Sequence, residues 1–147
     1  MNYQYKFQKI LTIREKEKND VFLQYSEAKK RFEEVADKLY RLLKKKEELQ
    51  EFQQVKLKEG LSVLEIGHNQ MFMDNLEKMI DQYQREVIMA RQKMNAQQTV
   101  LIEKNIEVKK LEKIKEKNHV KFLEDMKMIE KNQMDDISIQ TFLSKEN

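Results

Sequence analysis

Apolar residues recur along the first 56 residues of the chain at alternating steps of four and three. Ten of the 15 positions in this frame are apolar, although hydrophobic residues make up only 39% of the whole chain. A mean spacing of 3.5 residues is typical of the buried seam of a coiled coil. The frame therefore predicts one long amphipathic helix, with a seam of Phe7, Leu11, Arg14, Lys18, Val21, Tyr25, Ala28, Phe32, Val35, Leu39, Leu42, Lys46, Leu49, Gln53 and Lys56.

A second frame with the same spacing begins at Asn69 and ends at Asn132. Twelve of its 19 positions are apolar, but the enrichment weakens after Leu111. We therefore expect a second helix whose far end is loosely packed or uncovered. Its seam is Asn69, Met73, Leu76, Ile80, Tyr83, Val87, Ala90, Met94, Gln97, Leu101, Lys104, Val108, Leu111, Lys115, Asn118, Phe122, Asp125, Ile129 and Asn132.

A short break separates the two frames. Gly60 can adopt the left-handed conformation that ends a helix. Ser62 followed by Glu65 fits a capping box, which begins the next helix. We predict helix 1 over about 6–58, a loop over about 59–62, helix 2 over about 63–134 and a frayed tail over 135–147. Because so short a loop forces neighbouring helices to be antiparallel, the predicted fold is all-α, a single long antiparallel two-helix coiled-coil hairpin spanning 1–147.

The turn also predicts the register of the two seams. If facing residue numbers add to 122, Leu11 faces Leu111 and Val21 faces Leu101. The same register opposes Lys18 to Lys104, a like-charge pair that predicts a soft, partly hydrated layer.

Composition supports long helices and offers little for catalysis. The chain has no Pro and no Cys, and only two Gly. A two-helix hairpin lacks the concave pocket of an enzyme, so we expect no enzymatic activity, no cofactor and no metal. His68 and His119 could be metal ligands, and Asp135 with Asp136 could act as an acid–base pair, but solvated surface positions explain all four more simply.

Charge leaves a second class of function open. Residues 29–46 contain eight Lys or Arg and three acidic residues, and residues 103–121 contain seven Lys and four acidic residues. A coiled-coil arm that binds nucleic acid is therefore one alternative, and a generic scaffold is another. The acidic residues interleave at helical spacing, however, which is typical of a solvated surface with ion pairs.

Apolar residues outside the seam suggest a partner surface. Phe52, Phe72 and Met79 occupy g positions of the heptads, as do Lys38 and Lys45. In an antiparallel pair the g positions of both helices share one edge, so these residues should lie together near the loop. Tyr40 and Leu43 also lie off the seam. Either these side chains widen the seam, or they remain exposed and bind a partner.

Three segments resemble one protein family. The stretch 69–83, NQMFMDNLEKMIDQY, is similar to the motif that opens the second helix in the FliJ family of flagellar export proteins. The start, Tyr5-Lys6-Phe7-Gln8-Lys9-Ile10-Leu11, and the late Met134-Asp135-Asp136 are also similar to that family. The resemblance covers essentially the whole chain.

The resemblance implies a fold similar to the coiled coil of the gamma subunit in rotary ATP synthases. It also implies that the terminal half of the hairpin inserts into the hexameric ring of the export ATPase. A patch near the loop would bind the cytoplasmic domain of the export gate's large membrane protein, and the family also binds export chaperones. Because the longest apolar runs are only three or four residues and the first residues lack the apolar core of a signal peptide, we expect a protein that stays in the cytoplasm. The resemblance implies that it is peripheral to the membrane only through its partners.

The family's gate patch and the geometry of the hairpin each suggest contact residues. The residues that match the gate patch are Leu42, Phe72, Leu76, Met79 and Tyr83, whereas Lys38 and Lys45 differ from the residue types expected in that patch. For the ATPase contact, geometry alone suggests Phe7, Leu11, Arg14, Lys18, Val108, Leu111 and Lys115. We expect no nucleic-acid partner.

Overall fold

Two long helices make up almost all of the chain. The computed structural model describes residues 4–146, with side chains as far as Lys145. Helix α1 spans Gln8–Glu59 and helix α2 spans Val63–Glu146, and no strand occurs among the described residues. The all-α, two-helix prediction is confirmed. Neither helix contains, within this part of the chain, a stretch that is long and apolar enough to cross a membrane.

The turn forms as its residue types predict. Gly60 has a φ of 94°, the left-handed conformation that residues with a Cβ rarely adopt. The Glu65 amide donates to the Ser62 hydroxyl at 3.2 Å, and the Ser62 amide donates to the Glu65 carboxylate at 3.4 Å. This reciprocal pair is a capping box, and it satisfies two amide groups that the first turn of α2 would otherwise leave without partners.

Side-chain contacts within the chain show that the helices are antiparallel. Arg14 pairs with Glu107, Glu17 pairs with Lys104, and Lys38 donates to the Tyr83 hydroxyl. As the number rises along α1, the number of the partner falls along α2. These three pairs add to 121, whereas Arg31–Glu86 adds to 117 and Lys46–Glu77 adds to 123, so the side-chain contacts scatter about the predicted sum of 122 and do not define a different register.

The chain divides into two compact units, and each contains a segment of both helices. The terminal unit combines the segment ending at Asn19 with the segment beginning at Glu103, and the loop unit spans Asp20–Ile102. The core of the loop unit consists of the buried side chains Ala28, Val35, Met73, Leu76, Ile80 and Val87. All six lie in the predicted seams, so the spacing identified the core of this unit correctly.

The far end of α2 differs from the sequence-based expectation in its length. The helix does not end near residue 134 but continues to Glu146. No Pro or Gly follows Gly67, so nothing in the sequence breaks the backbone hydrogen bonds of the helix. Every described side chain from Lys127 to Lys145 is exposed, as the weakening of the seam predicted.

Lys104, which the predicted register places opposite Lys18, has acidic neighbours. The Lys104 ammonium lies 3.3 Å from the Glu17 carboxylate and 3.8 Å from that of Glu107. Both lysines are half-buried in the seam. Sequence spacing revealed the two like charges, but it did not reveal that flanking carboxylates could reach Lys104.

Replacing both lysines by leucine should raise the melting temperature. Each leucine would add apolar burial of roughly 1.5–3 kcal/mol when fully covered, whereas the partly exposed ion pairs of Lys104 contribute about 0–1 kcal/mol. We expect the Lys18→Leu/Lys104→Leu variant to melt at least about 5 °C higher by circular dichroism. The matched control Lys16→Leu/Lys109→Leu alters two exposed positions and should leave the melting temperature unchanged. A lower melting temperature for the seam variant would contradict the register.

Candidate functional site

Large apolar side chains lie exposed near the turn, along one edge of the loop unit. Phe72 and Met79 are 47% and 46% exposed, and Phe52 is 51% exposed. The off-seam residues Tyr40 and Leu43 are exposed as well. These side chains therefore do not simply widen the seam, and the expectation that part of the apolar surplus stays uncovered is confirmed.

Two lysines of α1 contact aromatic rings of α2 along this edge. The Lys45 ammonium lies 5.4 Å from the centroid of the Phe72 ring. The Lys38 ammonium lies 5.3 Å from the centroid of the Tyr83 ring and 3.1 Å from its hydroxyl. These contacts join g positions of α1 to α2 as the antiparallel arrangement predicts. We call the group Lys38, Lys45, Phe72, Met79 and Tyr83 the loop-unit patch.

The other two residues that match the family's gate patch lie deeper. Leu76 is only 4% exposed and belongs to the core, and Leu42 is half-buried. Phe72 and Met79 are therefore accessible from solvent, whereas Leu76 is covered. The resemblance alone could not separate these roles, because the motif gives residue types and not their exposure.

The terminal unit has a small core of its own, in which residues near the start of α1 pack against residues of α2. Leu11 and Val108 are each only 2% exposed, and Tyr5 packs with them in one cluster, against which Leu111 also packs. The Tyr5 hydroxyl donates to the Leu111 carbonyl at 3.1 Å. Three of the residues predicted for the ATPase contact, Leu11, Val108 and Leu111, therefore meet in this cluster. Leu11 and Val108 are covered, so a partner cannot touch them directly.

Charged side chains flank this cluster. The Arg14 guanidinium lies 3.0 Å from the Glu17 carboxylate, which Lys104 also contacts. Hydrogen bonds lower the pKa of the Glu17 carboxyl, with the larger effect from Arg14 and a smaller one from Lys104. A lowered folded-state pKa means that this contribution to stability is present above the unfolded-state pKa and is lost as the pH falls through the folded value. Acidification should therefore loosen this contact.

The remaining residues predicted for the ATPase contact lie closer to the surface. Phe7 is exposed, and its ring meets the Tyr5 ring edge to face with 5.9 Å between the two centroids. Lys18 and Lys115 are half-buried. Ile10 and Ile13 are also exposed and lie one helical turn apart on α1. Both isoleucines lie off the predicted seam, so the heptad spacing gave no sign of them.

The Tyr5 hydrogen bond offers a test of the terminal core. Replacing Tyr5 by Phe should lower the free energy of unfolding by about 1 kcal/mol, because a part-buried hydrogen bond is lost while the ring is kept. Urea unfolding followed by circular dichroism measures this change. Tyr40→Phe is the matched control, since Tyr40 is 64% exposed. Equal stability of the Tyr5→Phe variant and the wild type would contradict the packing of this cluster.

The described residues show no arrangement suited to metal binding. No group of three or more His, Cys, Asp or Glu side chains that could hold an ion occurs between residues 4 and 145. His68 lies exposed beside the turn, and His119 lies on the exposed part of α2.

Comparisons with known proteins agree with the geometry. The family described as Flagellar FliJ protein matches residues 3–147 of the chain. The chain belongs to the FliJ family. It is 47% identical over 143 residues to the flagellar FliJ protein of Bacillus subtilis (strain 168), and the match covers 97% of each chain. No solved structure matches it.

Membership of the FliJ family confirms the resemblance that the two ends and the segment 69–83 suggested. It supports a role as a flagellar export component. The family match covers residues 3–147, so it includes both the loop-unit patch and the core of the terminal unit.

Proposed function

We propose that this chain is a non-enzymatic component of flagellar protein export that links the export ATPase to the export gate. The observation that carries the proposal is the family match over residues 3–147 of a chain whose two helices pair side by side. Each unit presents its own surface to a partner, which suits a linker better than a catalyst.

The terminal unit would contact the ATPase hexamer. The exposed apolar side chains Phe7 and Ile10 and the half-buried Lys18 would touch the ring, while Leu11 and Val108 keep the two helix segments packed. The similarity to the gamma subunit of rotary ATP synthases remains a prediction that supports this arrangement.

The loop unit would bind the cytoplasmic domain of the gate's membrane protein. Phe72 and Met79 supply exposed apolar area, and aromatic residues in such positions often dominate the energy of an interface. Export chaperones would be a third class of partner. In this proposal the chain acts in the cytoplasm and reaches the membrane only through its partners.

Two binding measurements and one genetic experiment test the proposal. We expect the purified chain to bind the purified export ATPase and the purified gate domain. We also expect the chain alone to hydrolyse no ATP. Deleting the gene should stop export of flagellar subunits, and the wild-type gene should restore it. Normal export in the deletion strain, or binding to neither purified partner, would overturn the proposal. Binding of nucleic acid in place of both proteins would favour the rival class of function.

A further inference from the structure

Two lysines lie on the loop-unit patch without an acidic partner. On the same edge, Arg31 of α1 is paired with Glu86 of α2 at 3.6 Å, as opposed charges at flanking positions of coiled coils commonly are. Nearer the turn, the opposing g positions of α2 hold Met79 and Phe72. Lys38 and Lys45 therefore contact aromatic rings, and neither makes an ion pair with a carboxylate of the described residues.

A partner that covers Phe72 must also cover the Lys45 ammonium. That ammonium lies 5.4 Å from the ring centroid, and the Lys38 ammonium lies 5.3 Å from the Tyr83 ring. Removing a charge from water is unfavourable unless a charged or hydrogen-bonding group compensates it. An attraction to an aromatic ring at an exposed site is weak, so it does not compensate for the lost water.

We propose that the protein surface that docks on the loop-unit patch carries carboxylates placed around an apolar pocket. The pocket would take Phe72 and Met79, and the carboxylates would pair with Lys38 and Lys45. This inference rests on the proposed gate contact and adds the chemistry of the partner's surface. The two lysines then determine specificity, because they disfavour any partner that is only apolar.

The geometry favours a protein over a nucleic acid as the occupant. Bases bind to exposed aromatic residues by stacking on the faces of their rings. Here the lysine ammonium groups lie over the Phe72 and Tyr83 rings, and Glu86 and Glu77 lie on the same stretch of α2. Apolar area beside a small number of fixed charges is instead typical of a protein interface.

The test measures how the affinity for the purified cytoplasmic domain of the gate protein depends on salt. Calorimetric titrations at NaCl concentrations from about 50 mM, where charges are weakly screened, to about 500 mM, where they are strongly screened, should show weaker binding by the wild type as salt rises. Lys38→Met/Lys45→Met removes both charges and keeps alkyl chains that can cover the rings. We expect it to bind about tenfold more weakly at low salt, with a flatter salt dependence.

The control variant removes the same charge elsewhere on α1. Lys29 and Lys30 are exposed and lie away from the g edge, so Lys29→Met/Lys30→Met should bind like the wild type at every salt concentration. Circular dichroism spectra and melting temperatures establish that both double variants are folded.

The outcomes separate this inference from the proposed gate contact. The inference would be overturned, and the gate contact left in place, if Lys38→Met/Lys45→Met kept the affinity and salt dependence of the wild type while Phe72→Ala bound more weakly. Unchanged binding by all variants would overturn both. The inference would also be overturned if the chain bound a single-stranded DNA oligonucleotide only when Lys38 and Lys45 were present, while loss of the two lysines left gate binding unchanged.

Discussion

Replacing Val35 by Asp should lower the free energy of unfolding by about 3–5 kcal/mol and reduce the helix content of the protein. Val35 is 1% exposed and lies in the core of the loop unit, where a carboxylate would lose its water without gaining a partner. Total stabilities of single domains are roughly 5–15 kcal/mol, so this one change removes a large share. Thermal unfolding followed by circular dichroism measures the effect.

The same substitution at an exposed position of α1 is the control. Val55 is 55% exposed, so Val55→Asp should change the melting temperature little. The two variants have the same composition and net charge and differ only in burial. Equal melting temperatures for them would mean that Val35 is not buried between paired helices.

Replacing Phe72 by Ala should weaken binding to the gate domain about thirtyfold, which corresponds to roughly 2 kcal/mol. Phe72 is exposed and half of its surface is free to enter a partner's pocket. Because the ring contributes little to the helix–helix core, the melting temperature should stay close to that of the wild type. Calorimetric titration gives the affinity, and circular dichroism gives the stability.

Two other variants show whether the effect belongs to this surface. Phe22 is also exposed on a helix, so Phe22→Ala removes the same side chain outside the loop-unit patch and should leave the affinity unchanged. Leu76→Ala should instead lower the stability by about 2–4 kcal/mol, because Leu76 is buried. Wild-type affinity in Phe72→Ala, or an equal loss in Phe22→Ala, would contradict the placement of the contact.

The heptad spacing predicted the core because burial in a helix pair depends on one geometric period. Leu11, Val35 and Val108 were all identified from that period, and each is almost fully buried. The turn was predictable for a different reason: Gly60 and the Ser62–Glu65 pair are local signals whose geometry needs no tertiary contact.

The sequence failed where burial depends on something other than the helical period. Tyr5 is buried although it precedes α1, so the frame that began at Phe7 did not include it. Phe7, which the frame did include, is exposed. A residue outside the helix packs according to the path of the chain, and heptad positions do not describe that path.

The patch was only partly predictable. The g positions brought Phe72 and Met79 to one edge with Lys38 and Lys45, as the contacts now show for Lys45 and Phe72. The family motif added Leu76, which the structure buries beneath that edge. Residue types show which side chains can bind a partner, and only the fold shows which of them reach the surface.

The pairing of the two helices within one molecule is most directly tested by a distance between spin labels. The chain has no cysteine, so Gln24→Cys and Thr99→Cys would place labels at two exposed sites of the loop unit alone. Labelled protein diluted into unlabelled protein reports the distance within single molecules. We expect a narrow distribution below about 30 Å, since the axes of packed helices lie roughly 8–10 Å apart. If the helices were joined end to end, the two sites would lie roughly 100 Å apart, and the absence of any population below about 50 Å would contradict the hairpin.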